Sequence, residues 1–452
     1  MVFKRHLVEK LKEWKSSTER KPLILRGARQ VGKTTLITEF SKFYRQKIII
    51  NLEETDNRKI FDQTDDVHQI LENLFFINGL NSGYIEDTLL FLDEIQEAPK
   101  AIQLLRYFFE YLPQLHVIAA GSLLEFALKD VKSFPVGRVE FLYIHPLNFT
   151  EYLMANEKEM VIKQLNHIPI KSFAHNELMR IFNRYLIIGG MPEIIKKEIQ
   201  GKMLGDLVKT YEGIWMTYAN DFEKYASNNT IKSVSRHLMS NTPYFIDQRI
   251  KFQNFGKSDY KSREVSQVFR RLSESQIIRL VYPTTSVEPP IIPDYRKSPK
   301  LQFLDIGILN HLLEIQGQML SIEDLSGFYR GSLIPQIIFQ ELISMNHLTN
   351  HIPKFWVRTK NQSSSEVDLV QIAHGKMIPI EIKSGKSGKL KSLHQFIEAC
   401  DHPYAMRIYG GEFFIEKTQT PKGKPFLLMS LPYYLGTKLH DYLSYFVQNY
   451  NI

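Results

Sequence analysis

The sequence predicts an α/β fold built on a parallel sheet, then a helical middle, then a second region of mixed strands and helices. Three observations carry that expectation. Short, continuously apolar runs alternate with helical patterns through the first third of the chain. The pattern turns helical from about residue 152 to 226, and an alternating hairpin appears near 366–383. With 43% hydrophobic and 23% charged residues over 452 positions, the chain can fill several cores, and disorder as the dominant state is excluded.

The candidate strands of the first third are 23–25, 47–52, 88–92 and 116–120. The last three are unbroken apolar runs, as expected of strands covered on both faces. Gly189-Gly190-Met191-Pro192 interrupts the helical middle. Residues 230–313 mix short helices with a strand pair, and 283–299, with Pro289-Pro290 and Pro293, reads as an exposed loop. A helix around 333–345 precedes the hairpin. The expected division is 1–155, 156–228, 229–318 and 319–452. A single cysteine, Cys400, excludes a disulfide scaffold and suits a reducing compartment. No apolar run approaches the roughly 18 residues that span a bilayer, and Glu9 and Glu13 interrupt any leader-like stretch. A cytoplasmic protein with no membrane partner is expected.

Gly27-Ala28-Arg29-Gln30-Val31-Gly32-Lys33-Thr34 fits G-x-x-x-x-G-K-[ST], with a strand before it and Thr35 inside the helix that follows. Glycines let backbone N–H groups approach phosphate oxygens, and the helix directs its positive end at the same anion. Lys33 is expected on the β- and γ-phosphates of ATP and the Thr34 hydroxyl on Mg²⁺. The apolar run 88–92 ends in Asp93-Glu94, two adjacent acids that serve a metal and a water, or else form a solvated acidic turn. On the first reading Asp93 holds Mg²⁺ and Glu94 is the general base. The run 116–120 ends in Gly121-Ser122, where Ser122 either touches the γ-phosphate or is a small residue in a tight turn. Arg138 is a candidate for offsetting transition-state charge, in its own chain or a neighbouring one, and Arg29 is a second cation beside the phosphates; either can be structural.

The segments RGARQVGKTTL, LLFLDEIQ, AAGSLLEF, GRVEFLYIHPLNFTEYL and GGMPE together resemble a prokaryotic ATPase family of the AAA+ superfamily. Its members usually carry a C-terminal domain of unknown function related to PD-(D/E)XK nucleases. The resemblance implies a P-loop core hydrolysing ATP through Lys33, Thr34, Asp93 and Glu94, a helical lid near 189–192 and a winged-helix segment.

Two further stretches bear on the partner. Residues 231–239, 261–274 and 276–282 read as helix, helix and strand, the order of a winged helix. Segment 249–279 holds eight basic side chains (Arg249, Lys251, Lys257, Lys261, Arg263, Arg270, Arg271 and Arg279) against Asp259, Glu264 and Glu274. Such a helix suits DNA phosphates; the other readings are a solvated basic face or a contact to the ATPase core. In the hairpin, a turn at His374-Gly375 sets Leu369 opposite Ile380 and Gln371 opposite Ile378, with Asp368 opposite Glu381 and Glu366 opposite Lys383. Facing carboxylates need a cation between them, and Mg²⁺ is the expected one. D-x₁₂-E-x-K is the core pattern of PD-(D/E)XK nucleases. Glu341 corresponds to their additional acidic ligand, Glu381 and Lys383 would be catalytic, and Lys386, Lys389 and Lys391 would meet a phosphate backbone. The alternative is an exposed hairpin with a surface ion pair. Pro379 lacks a backbone donor, which suits an edge strand.

The expected protein is therefore an Mg²⁺-dependent ATPase coupled to a DNA-binding C-terminal unit that also cleaves DNA. The alternative is an ATP-driven switch whose nuclease-like domain only binds DNA or a protein partner, with self-association left open.

Overall fold

The computed structural model describes residues 2–122, 124, 134–224, 226, 228–320, 331–349, 351–359, 365–383 and 390–451. The chain forms two compact units. One comprises Met1–His145 with Glu274–Gln276 and Asn346–Asn350; the other comprises Pro146–Ser273, Ile277–Met345 and His351–Ile452.

The first unit is built on five strands: β1 (Leu23–Arg26), β2 (Gln46–Asn51), β3 (Thr88–Asp93), β4 (His116–Gly121) and β5 (Glu140–Tyr143). They lie in the order β2-β3-β4-β1-β5, and every neighbouring pair is parallel. The expected strands are present, and β5, a four-residue strand of which only Leu142 is buried, is one the sequence reading did not single out. β3 and β4 are buried along their whole length, which explains their unbroken apolar character. Leu90, Leu92, Val117 and Ala119 belong to a core that includes Ile102, Leu105 and Phe108 of the helix Pro99–Tyr111. Because β4 lies between β1 and β3, the segments leaving the carboxyl ends of all three open onto one crevice, the usual ligand position in an open parallel sheet.

The second unit begins with the helix Phe149–Ala155, whose Asn148 and Glu151 form a reciprocal capping box. The helices His175–Ile188, Pro192–Ile199 and Leu204–Lys224 follow. The Gly189-Gly190 break has a packing reason. A Cβ at Gly190 would lie 2.1 Å from the Leu147 carbonyl oxygen, and the Gly190 N–H donates to Asp305 Oδ2 at 2.6 Å.

The helices Asn229–Asn241 and Ser262–Glu274 precede an antiparallel pair, β6 (Ile278–Val281) and β7 (Lys300–Phe303). Val265, Val268, Phe269 and Leu272 form the buried stripe expected of the second helix. The last region is a sheet of six strands: β8 (Lys354–Val357), β9 (Glu366–Ala373), β10 (Lys376–Ile382), β11 (Tyr404–Tyr409), β12 (Phe414–Gln419) and β13 (Pro425–Pro432). Its order is β12-β13-β11-β10-β9-β8.

The hairpin register agrees with the sequence reading: Leu369 faces Ile380 and Gln371 faces Ile378. His374 and Gly375 both adopt positive φ, as a two-residue turn requires. Contrary to the edge expectation from Pro379, β10 is central. Pairing with its parallel neighbour β11 starts only at Ile380, so the proline sits before a donor is needed on that side.

Candidate functional site

The loop after β1 supplies backbone where a phosphate would sit. A Cβ at Gly27 would lie 2.5 Å from the Ile144 carbonyl oxygen, so only glycine lets the loop leave the strand on this path. Gly32 has a φ of 96°, left-handed backbone that glycine adopts without strain, and the helix Lys33–Phe40 starts immediately after it. Arg5 supports the loop from behind, donating to the Val31 carbonyl at 3.1 Å and the His145 carbonyl at 2.5 Å. Sequence reasoning gave no hint of Arg5, since its partners are distant in the chain.

Lys33 is 5% exposed and donates to the Gly27 and Ala28 carbonyls at 3.0 and 2.9 Å. Burial lowers its pKa to about 8, with the nearby Glu94 and Asp93 charges opposing. A buried cation satisfied only by neutral carbonyls gains from an arriving anion. Thr34 Oγ1 donates to Asp93 Oδ2 at 2.6 Å, joining the start of the helix to the end of β3. Burial pushes the Asp93 carboxyl up, partly offset by the Thr34 hydrogen bond. Thr34 and Thr35 are exposed, as is Gln30, while Arg29 is half-buried.

Glu94 follows with a φ of 51°, a conformation that bulky residues enter at a cost. One of its oxygens accepts from the Gln96 side-chain amide at 2.5 Å. Gln96, which sequence reasoning passed over, is 6% exposed, and among the described residues its own Oε1 is buried without a partner. A Cβ at Gly121 would lie 2.7 Å from that oxygen, which accounts for glycine at the end of β4. Ser122 is 7% exposed, and its hydroxyl also lacks a hydrogen-bond partner among the described residues. Orphaned buried polar atoms beside a phosphate loop are the kind that a ligand or ordered water satisfies.

Arg138 does not belong to this crevice, which corrects the expectation for its own chain. It precedes β5, and Glu140 pairs with Leu23, so Arg138 lies at the amino ends of the strands while the loop leaves their carboxyl ends. Its guanidinium donates to Glu110 at 3.1 Å at the end of the Pro99–Tyr111 helix.

The hairpin of the second unit brings Asp368, Glu381 and Lys383 together but not Glu341. Lys383 Nζ lies 2.5 Å from Glu381 Oε1, and the Ile382 N–H donates to Asp368 Oδ2 at 2.8 Å. Burial raises the Glu381 pKa, with the like charge of Asp368 adding to it and Lys383 opposing. Glu381 Oε2 is buried without a partner among the described residues. Glu341, 1% exposed, instead accepts from the Phe149 N–H at 3.0 Å and the Tyr185 hydroxyl at 2.8 Å, so it satisfies the start of a helix rather than a metal. Burial raises its pKa to about 8.

A second cation beside the hairpin carboxylates is Lys300 of β7. Its ammonium lies 2.7 Å from Glu366, 3.3 Å from Asp247 and 3.7 Å from Asp368, and only 4% of its side chain is exposed. Burial alone would lower the Lys300 pKa, but Asp247, Asp368 and Glu366 together hold it above its ordinary value. Asp247 is nevertheless raised to about 7 by burial, with the Lys300 ammonium opposing and the like charges of Asp368 and Glu366 adding to the rise. Among the described residues, no group of three or more His, Cys, Asp and Glu side chains is arranged to hold a metal ion. Of the expected Mg²⁺ set, Glu341 is the one the structure does not bring to Asp368 and Glu381. Lys386 and Lys389 lie outside the described residues.

On the basic segment, Arg249, Lys251, Lys257, Lys261, Arg263 and Arg270 are exposed and Arg271 is half-buried. Arg279 is 2% exposed and cannot meet a phosphate, which corrects the charge count. Among the described residues no helix is long and apolar enough to cross a membrane.

A family model described as an AAA domain matches residues 19–153, which contain the loop, Asp93-Glu94 and Ser122. Models for two domains of unknown function, DUF8612 and DUF4143, match residues 179–319 and 330–431. An uncharacterized protein of Methanocaldococcus jannaschii is 23% identical over 354 residues, covering 72% of this chain and 70% of its own. A Walker-type ATPase of Pyrococcus abyssi superposes with a TM-score of 0.44 at 16% identity, covering 69% of this chain and 96% of that one. A signal transduction ATPase with numerous domains, carrying a tetratricopeptide repeat sensor, from Pyrococcus horikoshii gives 0.28 at 11% identity, with 76% and 48% covered. The AAA-domain match and the loop geometry make the first unit the core of a P-loop ATPase.

Proposed function

We propose that the protein is an Mg²⁺-dependent ATPase whose turnover acts on a DNA-contacting second unit. The observation that carries the first half is the 2.6 Å approach of the Thr34 hydroxyl to the Asp93 carboxylate, beside a buried Lys33. Two hard oxygen donors converging in this way suit Mg²⁺, and Thr34 and Asp93 would hold it. Bound there, the ion would neutralise charge on the β- and γ-phosphates.

The chain's own groups account for the rest. Lys33 exchanges the Gly27 and Ala28 carbonyls for phosphate oxygens, and the loop N–H groups surround the same anion. Glu94 accepts a proton from the attacking water as its oxygen bonds to the γ-phosphorus and the bond to the ADP oxygen breaks. Gln96 holds the Glu94 carboxylate in place for that transfer. The Ser122 hydroxyl stands next in line after β4 to meet the γ-phosphate or the water. Release of inorganic phosphate from ATP, dependent on Mg²⁺ and abolished by chelation, tests this; absence of release from the purified chain would remove the reading.

For the second half, two helices followed by the β6–β7 pair support a winged-helix reading of 229–318, and the exposed cations from Arg249 to Arg270 support a phosphate contact. Residues 319–452 are read as a restriction-endonuclease-like domain and 156–228 as a lid. Within that frame, a domain that binds DNA or a protein partner without cutting is favoured over a nuclease, because both carboxylate oxygens of Glu341 are engaged with Phe149 and Tyr185. Binding of duplex DNA that weakens steeply with salt, without strand breaks in Mg²⁺, is the expected behaviour. Cleavage lost in Glu381→Ala would restore the nuclease reading.

A further inference from the structure

We infer that Lys300 takes the place of the divalent ion in the β9–β10 carboxylate centre, making it an internal ion cluster that anchors β7 to β9 rather than a metal site. This deepens the non-cutting reading above and rests on its nuclease-like frame for the second unit. It takes nothing from ATP turnover.

The geometry leaves a metal few ligands. Asp368 Oδ2 accepts from the Ile382 N–H at 2.8 Å, and its Oδ1 lies 3.7 Å from the Lys300 ammonium. Glu381 Oε1 is held by Lys383 at 2.5 Å. Among the described residues Glu381 Oε2 has no partner, so it and Asp368 Oδ1 are the oxygens left to a metal, and Mg²⁺ bound there at about 2.1 Å would stand beside the Lys300 ammonium. The acid that would complete a nuclease set, Glu341, is engaged elsewhere.

The charge is already supplied. Lys300 carries its ammonium to 2.7 Å from Glu366 and 3.3 Å from Asp247, and the Phe355 ring lies 5.3 Å away. A divalent ion bridging Asp368 and Glu381 would stand close to this buried ammonium, and like charges in a low-dielectric interior repel strongly. Lys300 reaches the centre from the β6–β7 pair, while Asp247 comes from the stretch before the Ser262–Glu274 helix and Glu366 and Asp368 from β9. Three chain segments of the second unit are thus tied at one buried cation. An entering metal would have to break that tie, with the cost of leaving Lys300 or its carboxylates unpaired.

The test is binding of Mn²⁺ alone to the nucleotide-free full-length chain, followed by the electron paramagnetic resonance signal of free Mn²⁺. Asp368→Asn is expected to leave the wild-type isotherm unchanged. Lys300→Met is expected to lower the thermal midpoint by several degrees and to gain an Mn²⁺ site that Asp368→Asn then removes. A wild-type Mn²⁺ site lost in Asp368→Asn overturns the inference. Should Lys300→Met not fold, the comparison of wild type with Asp368→Asn decides alone. Failure of the ATPase reading would appear as missing phosphate release and would leave these isotherms where they are.

Discussion

At the carboxyl ends of β1, β3 and β4, side chains from separate segments meet because the parallel sheet delivers its connecting loops to one crevice. At the β9–β10 hairpin, the motif residues also meet, yet their setting is decided by Lys300 and Asp247, which lie outside the hairpin. In the first region a motif is a backbone shape, so its chemistry travels with a short stretch of chain. In the second it is only a spacing of side chains, and a distant lysine changes what that spacing can hold.

The largest expected effect separates the two regions. Lys33→Ala should lower phosphate release by about a hundredfold or more, and Glu94→Gln by a similar factor with nucleotide binding retained. Asp368→Asn should leave ATP turnover within roughly twofold of wild type. Steady-state rates alongside fluorescent-nucleotide binding read all three. An equal loss in Asp368→Asn would break the distinction.

A second effect sharpens the loop's side. With Lys33 lowered to about 8 before nucleotide binds, part of the population loses its ammonium as pH rises through that value. The triphosphate requires the charged form, so affinity should fall by up to about tenfold per pH unit above pH 8, and binding near pH 8 should take up a proton. Calorimetry in buffers of different ionisation enthalpy measures that uptake. Lys33→Arg, which stays charged, should flatten the profile.

The phosphate loop and the hairpin register were legible because both are local. One is a fixed run of glycines before a helix; the other follows from a period of two around a turn with positive φ at His374 and Gly375. Lys300 was not legible, since its partners are Asp247, Glu366 and Asp368 and nothing in their spacing announces the meeting. Arg138 was misplaced for a different reason. β5 is only four residues long and is not among the strands read from the sequence, and without it nothing says that Arg138 precedes one and so faces the wrong end of a parallel sheet. Glu341 matched a pattern by spacing, but its helix, Leu333–Ser344, is almost entirely buried, a setting where an acid is held by neighbours on every side.

Glu341 offers a smaller test. Its folded pKa is raised to about 8 by burial, above that of an ordinary glutamate, so the folded state retains a proton that the unfolded chain releases. Stability is therefore full below the unfolded pKa and declines as pH rises towards about 8. Glu341→Gln keeps an acceptor for Tyr185 and Phe149 without a charge to bury. It should be near neutral at about pH 5 and more stable than wild type by several kcal/mol above pH 8, read from denaturation midpoints across pH. A Glu341 acting as a metal ligand would instead lose an Mn²⁺ site in the same variant.

The smallest expected effect concerns Arg138. Its guanidinium is paired with Glu110, half of its side chain is covered, and it sits at the end of the sheet opposite the phosphate loop. An exposed pair of this kind contributes little to stability, and in its own chain the side chain is too far round the sheet to offset charge on a transferring phosphoryl group. Arg138→Ala should therefore change neither the unfolding midpoint nor the rate of phosphate release beyond experimental scatter. A fall of more than about tenfold in rate, with nucleotide binding unchanged, would mean that another copy of the chain presents this arginine to the crevice. Such a donor in trans would make specific activity fall on dilution, and mixing Arg138→Ala with Lys33→Ala subunits would restore part of it. Activity that is indifferent to both dilution and mixing leaves the crevice complete with Lys33, Glu94, Gln96 and Ser122 from one chain.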